Sequence, residues 1–181
     1  MRKIILNLAV SLDNLIEGPN GEYDWCFTDQ DYGFSEFLAR VDTVFYGRKS
    51  FELFGNSPLP ENPSENEKEM LNGINRLKKY VFSTTLKSAE GAVVISSNLV
   101  EEVNRIKQQP GKDIFLFGGA SLITAFVNYD LVDEYALAVH PVILGAGKPL
   151  FIDIKERKKL KLVDSKVYSS GLAALWYIPE K

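Results

Sequence analysis

Reactive side chains are scarce in this chain of 181 residues, which has one cysteine (Cys26), one histidine (His140), two methionines and two tryptophans. A lone cysteine cannot close an internal disulfide, and one cysteine with one histidine provides no zinc-like ligand spacing, so no metal site is expected. The same shortage removes local Ser-His-Asp and Cys-His pairings and disfavours hydrolysis by those constellations. Positive charge is also in deficit: 21 Lys and Arg against 24 Asp and Glu leave a net charge of -3 and a pI near 5.3. A phosphate backbone gains no overall attraction from such a surface, so neither a nucleic-acid nor a membrane partner is expected and the ligand is read as a small molecule. The opening MRKIILNLAV leads straight into a strand-like segment without a long apolar stretch or a small-residue cleavage site, which places the protein in the cytoplasm. What is present is an ordinary globular composition, 45% apolar and 25% charged, long enough to fill one domain over residues 1–181.

Along the chain, strand-like and helix-like segments alternate. Residues 3–11 (KIILNLAVS) are nearly all apolar and read as a central strand covered on both faces. Residues 13–24 carry Asp, Asn, Gly and Pro and form a loop over the sheet edge. From about Asp31, the residues Phe34, Phe37, Leu38 and Val41 recur at helical spacing, with Thr28 or Asp29 as N-cap. TVFYG (43–47) is a strand that feeds a short helix in RKSFELFG, and residues 56–67 hold three prolines in a surface loop. A helix over 67–78, strands in KYVFSTT and GAVVIS, and a helix in LVEEVNRIKQQ capped by Asn98 and Glu101 follow. DIFLFGG and ASLITAFVNY then repeat the strand-to-helix pattern. Beyond Leu131 the pattern becomes long strands with a Ser-Ser-Gly turn, so an α/β fold is expected: a single three-layer domain whose mixed, mostly parallel sheet ends in antiparallel C-terminal strands.

Two strand-to-helix turns bear glycine where helix amides can meet an anion: Gly47-Arg48-Lys49-Ser50 and Gly118-Gly119-Ala120-Ser121. Two phosphate cradles suit a dinucleotide, with Arg48 and Lys49 able to bind a phosphate monoester and the hydroxyls of Ser50 and Ser121 to donate. The competing reading makes both glycine turns simple tight turns and both cations solvated.

In order, LAVSLDNLIEG, FYGRKSFE, VFSTT, FLFGGASLI and HPVILGAGKPLF resemble the dihydrofolate reductase-like superfamily over almost the whole chain, closest to its RibD C-terminal branch. By that resemblance the fold is dihydrofolate reductase-like and the protein a reductase using NADPH, with riboflavin biosynthesis as one setting. GRKS and Gly118–Leu122 then bind the cofactor's phosphates, Arg48 and Lys49 favour its 2′-phosphate, Ser83 and Thr84 line the adenosine side, and the main chain at Ala9 and Val10 borders the nicotinamide. The resembling motif carries glycine where this chain has Asn14, a residue that tolerates positive φ.

Hydride transfer needs orientation and exclusion of water more than a nucleophile. A carboxylate would grip an amino-pyrimidine or pterin edge and assist protonation. Asp31 is the first candidate, standing in the opening turn of the first helix where dihydrofolate reductases carry a substrate carboxylate, although the helix dipole alone also favours an acid there. Asp13, just beyond the first strand, is the second, with an Asx turn as its competing role. Trp25, Phe27 and Tyr32 can wall a flat heterocycle or serve as packing anchors. The apolar strands of the last third of the chain, together with the resemblance, point to a homodimer.

Overall fold

Strand β1 (Ile4–Ser11) lies inside an eight-stranded sheet in the computed structural model, which describes residues 1–58 and 61–180. The elements that follow are β2 (Leu15–Glu17), α1 (Phe34–Arg40), β3 (Val41–Gly47), α2 (Arg48–Phe54), α3 (Glu65–Asn75), β4 (Lys78–Phe82) and β5 (Ala92–Ile95). Next come α4 (Leu99–Lys107), β6 (Asp113–Gly118), α5 (Ala120–Asn128), β7 (Glu134–His140), β8 (Lys148–Pro149), β9 (Leu160–Val167) and β10 (Ala173–Pro179). The sheet order is β5-β4-β3-β6-β1-β7-β10-β9, and β2 pairs with β8 in a separate ladder. Pairing is parallel from β5 to β7 and antiparallel where β10 joins β7 and β9. The expected α/β class with an antiparallel end is therefore the observed one. No helix among the described residues is long and apolar enough to cross a membrane.

Alternation along β1 explains why its sequence is apolar almost throughout. Ile4, Leu6 and Val10 enter a core shared with Val103 and Ile106 of α4 and Ile123 and Phe126 of α5. Ile5 enters the opposite core with Phe37 of α1 and Phe51 of α2. Strands covered on both faces lose the polar alternation that marks a half-exposed strand.

Several boundaries move for local reasons. The first helix starts at Phe34 rather than at Asp31, because Gly33 takes a left-handed φ of 82° and Asp31 caps from outside the helix. Its Oδ1 accepts from the Ser35 amide at 2.8 Å and the Ser35 hydroxyl at 2.7 Å, and its Oδ2 from the Gly33 amide at 3.1 Å. Val41 leaves that helix and begins β3. Helix α3 starts earlier than residue 67 because Ser64 and Glu67 form a reciprocal capping box. Asn98 instead adopts a left-handed φ of 52° and makes no side-chain cap bond, so the box expected there is absent. Of the loop expected over residues 56–67, Leu59 and Pro60 lie outside the described residues, as does Lys181 at the chain end.

Phe126 is fully buried and touches the rings of Phe45 and Phe82. Phe126→Ala is expected to lower the unfolding free energy by about 3–5 kcal/mol through lost burial and a residual cavity. Urea denaturation measures it; a loss below about 1 kcal/mol would show that this core collapses around the gap.

Candidate active site

Strands β3 and β6 are hydrogen-bonded neighbours, yet their following helices leave to opposite faces. Phe51 of α2 packs in one core and Phe126 of α5 in the other. Where neighbouring parallel strands send their chains apart, a crevice opens at their carboxyl ends, the place where open α/β sheets bind ligands.

The two glycine turns meet at that crevice. A Cβ on Gly47 would stand 3.5 Å from the Gly119 amide and 3.6 Å from the Gly118 carbonyl, and one on Gly119 would stand 3.1 Å from the Ser50 hydroxyl. Gly118 has φ of 117°, outside the range that side chains accept readily, and its peptide bond to Gly119 is cis. No side chain among the described residues caps α2 or α5, so the first amides of both helices remain open to an anion. Ala120 and Leu122 are buried, anchoring α5, while Ser121 is exposed. Lys49 is exposed, and exposed Arg48 makes only a 3.5 Å ion pair with Glu52 one turn along. Thr84 is exposed one strand away, but the Ser83 hydroxyl already accepts from the Thr85 and Leu86 amides at 3.2 and 3.0 Å.

On the α1–α2 side of the sheet, alternation from Ile5 puts Asn7 and half-buried Ala9 on the face toward this crevice, while Val10 is buried in the other core. Phe117 of β6, Phe34 of α1 and Phe54 of α2 line the same side. Asn7 is thus a half-buried amide on an apolar floor, and no hydrogen bond occupies its side chain among the described residues. It escaped the sequence reading because it sits in a run buried on both faces. The segment after β2 crosses above the floor: Tyr23 packs edge-on against Phe54 at 5.6 Å, and Trp25 against His140 at 5.3 Å. Phe27 also contacts His140, at 5.0 Å, and Tyr32 meets Tyr168 of the final hairpin at 4.9 Å. The structure therefore brings Trp25 and Phe27 to the crevice end of β7, with Tyr32 beside Phe27 at 6.1 Å. A cavity of ≈ 450 Å³ opens next to this strap, lined by Cys26, Phe27, Asp29 and Ser64 among others.

The two candidate carboxylates are engaged by their own chain. Asp31 is exposed and serves the α1 cap. Asp13 accepts from the Ser11 hydroxyl at 2.6 Å and from the Leu144 and Gly145 amides at 3.1 and 2.8 Å, latching the end of β1 to the segment after β7. The Ser11 hydroxyl, followed by the Gly145 amide, holds its carboxyl down at about 2. Asn14 has φ of 64°, the conformation expected of it. Among the described residues two buried donors lack partners, the indole N–H of Trp25 and the hydroxyl of Tyr46, the residue just before Gly47. Burial pushes the Tyr46 phenol well up, so it remains a neutral donor.

His140, the only histidine, accepts from the Phe27 amide through Nε2 at 3.1 Å and lies 3.0 Å from the Ala138 carbonyl through Nδ1. That pattern fits a neutral ring with its proton on Nδ1.

The RibD C-terminal domain profile matches residues 2–174. The chain belongs to the RibD C-terminal domain family. Its full-length relatives include the uncharacterized protein YyaP of Bacillus subtilis (strain 168), 54% identical over 178 residues, which cover 97% of this chain and 94% of YyaP. Among solved structures, a Shewanella protein provisionally assigned to riboflavin biosynthesis superposes with a TM-score of 0.80 at 23% identity, covering all of both chains. Dihydrofolate reductase of Enterococcus faecalis, complexed with NADP(H), superposes with a TM-score of 0.65 at 16% identity over 99% of this chain and 97% of that one. The fold of this RibD C-terminal domain is dihydrofolate reductase-like.

Burial lowers the His140 pKa from its ordinary value of 6.5. The unfolded chain then binds a proton at higher pH than the folded one, so stability is full above about pH 6.5 and falls as pH drops below it. Unfolding free energy is expected to decline from about pH 8 to pH 5.5, and NMR titration of the ring to give a midpoint below 6.5. A midpoint at or above 6.5 would rule out the buried, neutral ring.

Proposed function

We propose that this protein is an NADPH-dependent reductase that acts on a small planar heterocycle, a pterin or a pyrimidine such as a ribosylamino-uracil. The observation that carries this reading is the contact between the Gly47 and Gly119 turns, which brings the open amides of α2 and α5 to one crevice. A pyrophosphate suits those amides, and the glycines leave room for it against the main chain. Arg48, and Lys49 beside it, then meet the 2′-phosphate, while Ser50, Ser83, Thr84 and Ser121 offer hydroxyls around the phosphates. NADPH supplies the hydride; the chain supplies position. Ala9 borders the ring plane, Phe34, Phe54 and Phe117 exclude water, and Asn7 presents one donor and one acceptor to a heterocycle edge.

A second reading, an NADPH-binding sensor without turnover, is favoured by one fact: Asp13 and Asp31 both spend their oxygens on their own chain. The readings part on NADPH oxidation, followed by nicotinamide absorbance over pterins, pyrimidines and quinones. The reductase reading expects turnover with one class and predicts that Asn7→Leu lowers it at least about tenfold with NADPH affinity unchanged. Absence of turnover across the panel, with NADPH bound, would leave the sensor.

Cofactor choice gives a direct check. NADPH is expected to raise the thermal midpoint much more than NADH, and Arg48→Ala to remove most of the difference, since a charge-assisted contact contributes about 1.5–3 kcal/mol. Equal stabilisation by both cofactors would remove Arg48 and Lys49 from the 2′-phosphate.

The proposal extends to a symmetric dimer. Strand β9 is one edge of the sheet and exposes Leu162, Val163 and Val167, the last 77% exposed, among Lys161, Asp164 and Lys166. An exposed edge of this kind is an association surface unless covered, and a second copy is its commonest cover. Sedimentation equilibrium is expected to give twice the 20.3 kDa chain mass; a monomer mass would reject the dimer.

A further inference from the structure

At the end of the sheet away from the glycine turns, where β7 begins and β10 ends, lies a cavity of ≈ 420 Å³. Its apolar lining is Val132, Leu160, Pro179 and Tyr135. Tyr135 is 4% exposed, and its hydroxyl makes no hydrogen bond among the described residues. Burial together with the nearby Asp130 carboxylate pushes this phenol up to about 12, so it is a standing donor at neutral pH. Tyr135 lines the cavity and its hydroxyl, without a protein partner among the described residues, is free to donate to whatever binds there.

Charge is concentrated around the same opening. In a chain with net charge -3, the stretch from Lys155 to Lys161 holds Lys155, Arg157, Lys158, Lys159 and Lys161 against Glu156 alone. Lys158 Nζ pairs with Asp130 at 2.7 Å and neutralises that carboxylate. Arg157 and Lys159 have no carboxylate partner among the described residues; Glu180, also in the lining, is the remaining acid. The basic segment is anchored. Asn128 donates to the Asp153 carbonyl at 3.1 Å and accepts from the Lys155 amide at 3.0 Å, and the Glu180 amide donates to the Lys159 carbonyl at 3.0 Å.

We propose that this cavity is a second ligand site, for a small organic anion carrying a carboxylate or phosphate head on a flat apolar body. The head lies between Arg157 and Lys159 and accepts from the Tyr135 hydroxyl, while the body covers Val132, Leu160 and Pro179. A volume of a few hundred Å³ is within the range of small-molecule sites, and the charged side chains in this lining favour an ionic head group over a wholly apolar ligand. The site is separate from the crevice: Tyr135 and His140 stand at opposite ends of β7, about 16 Å apart at strand rise.

Phenyl phosphate, benzoate and inorganic phosphate, each at about 10 mM and matched ionic strength, test it by thermal midpoint and calorimetric titration. Phenyl phosphate or benzoate is expected to stabilise the wild-type chain and Arg48→Ala alike, and the tighter of the two identifies the head group. The double variant Arg157→Ala/Lys159→Ala is expected to weaken that probe at least about tenfold, and Tyr135→Phe, which keeps the ring, several-fold. Inorganic phosphate, lacking the body, is expected to bind more weakly than either. No shift with any probe, a shift that survives the double variant, or one abolished by Arg48→Ala overturns the proposal.

Discussion

The molecule is organised around a shortage of space between β3 and β6. Their carboxyl ends lie side by side, and a single Cβ on Gly119 would crowd the Ser50 hydroxyl. Because both turns stay bare, α2 and α5 can begin at once and depart to opposite faces, each filling a separate core. The crevice and its open amides thus sit where the two helices part to separate cores. A side chain at Gly119 would press on the Ser50 hydroxyl, and one at Gly47 would occupy the space beside the Gly119 amide.

Around that crevice the acids act as fasteners. Asp13 ties the end of β1 to the Leu144–Gly145 segment, and Asp31 closes the first turn of α1. The aromatic strap rests on His140, Phe54 and Tyr168, whose edge contacts have broad geometric tolerance, so its hold depends on burial more than on direction. Rigid amide-lined turns therefore face a more adaptable wall, a division suited to a constant phosphate partner and a more variable ring.

Much of the fold was legible in the residues because the elements obey local rules. The strand ahead of Gly47 and the amphipathic α4 and α5 follow from composition and periodicity, while the positive φ at Asn14 follows from the resemblance, whose motif has glycine at that place. The glycine turns could be seen as a pair, but their mutual contact could not, since it joins residues 47 and 119. Asp31 and Asp13 read as candidate acids because a sequence does not reveal which amides claim a carboxylate. Asn7 was hidden for the opposite reason: a strand buried on both faces shows no period-two pattern, and a single polar side chain in its interior looks like noise. His140 is held as a structural residue would be, yet it also seats the strap, a role set by Trp25 and Phe27 far away in sequence.

Cys26 sits in that strap, half-buried beside the ≈ 450 Å³ cavity, with burial raising its thiol to about 11. There it is nearly inert at neutral pH, since the thiolate is the reacting form. Lifting the strap would restore both solvent and ordinary acidity to the only sulfhydryl in the chain. The packing of the strap thus sets how reactive that sulfhydryl is.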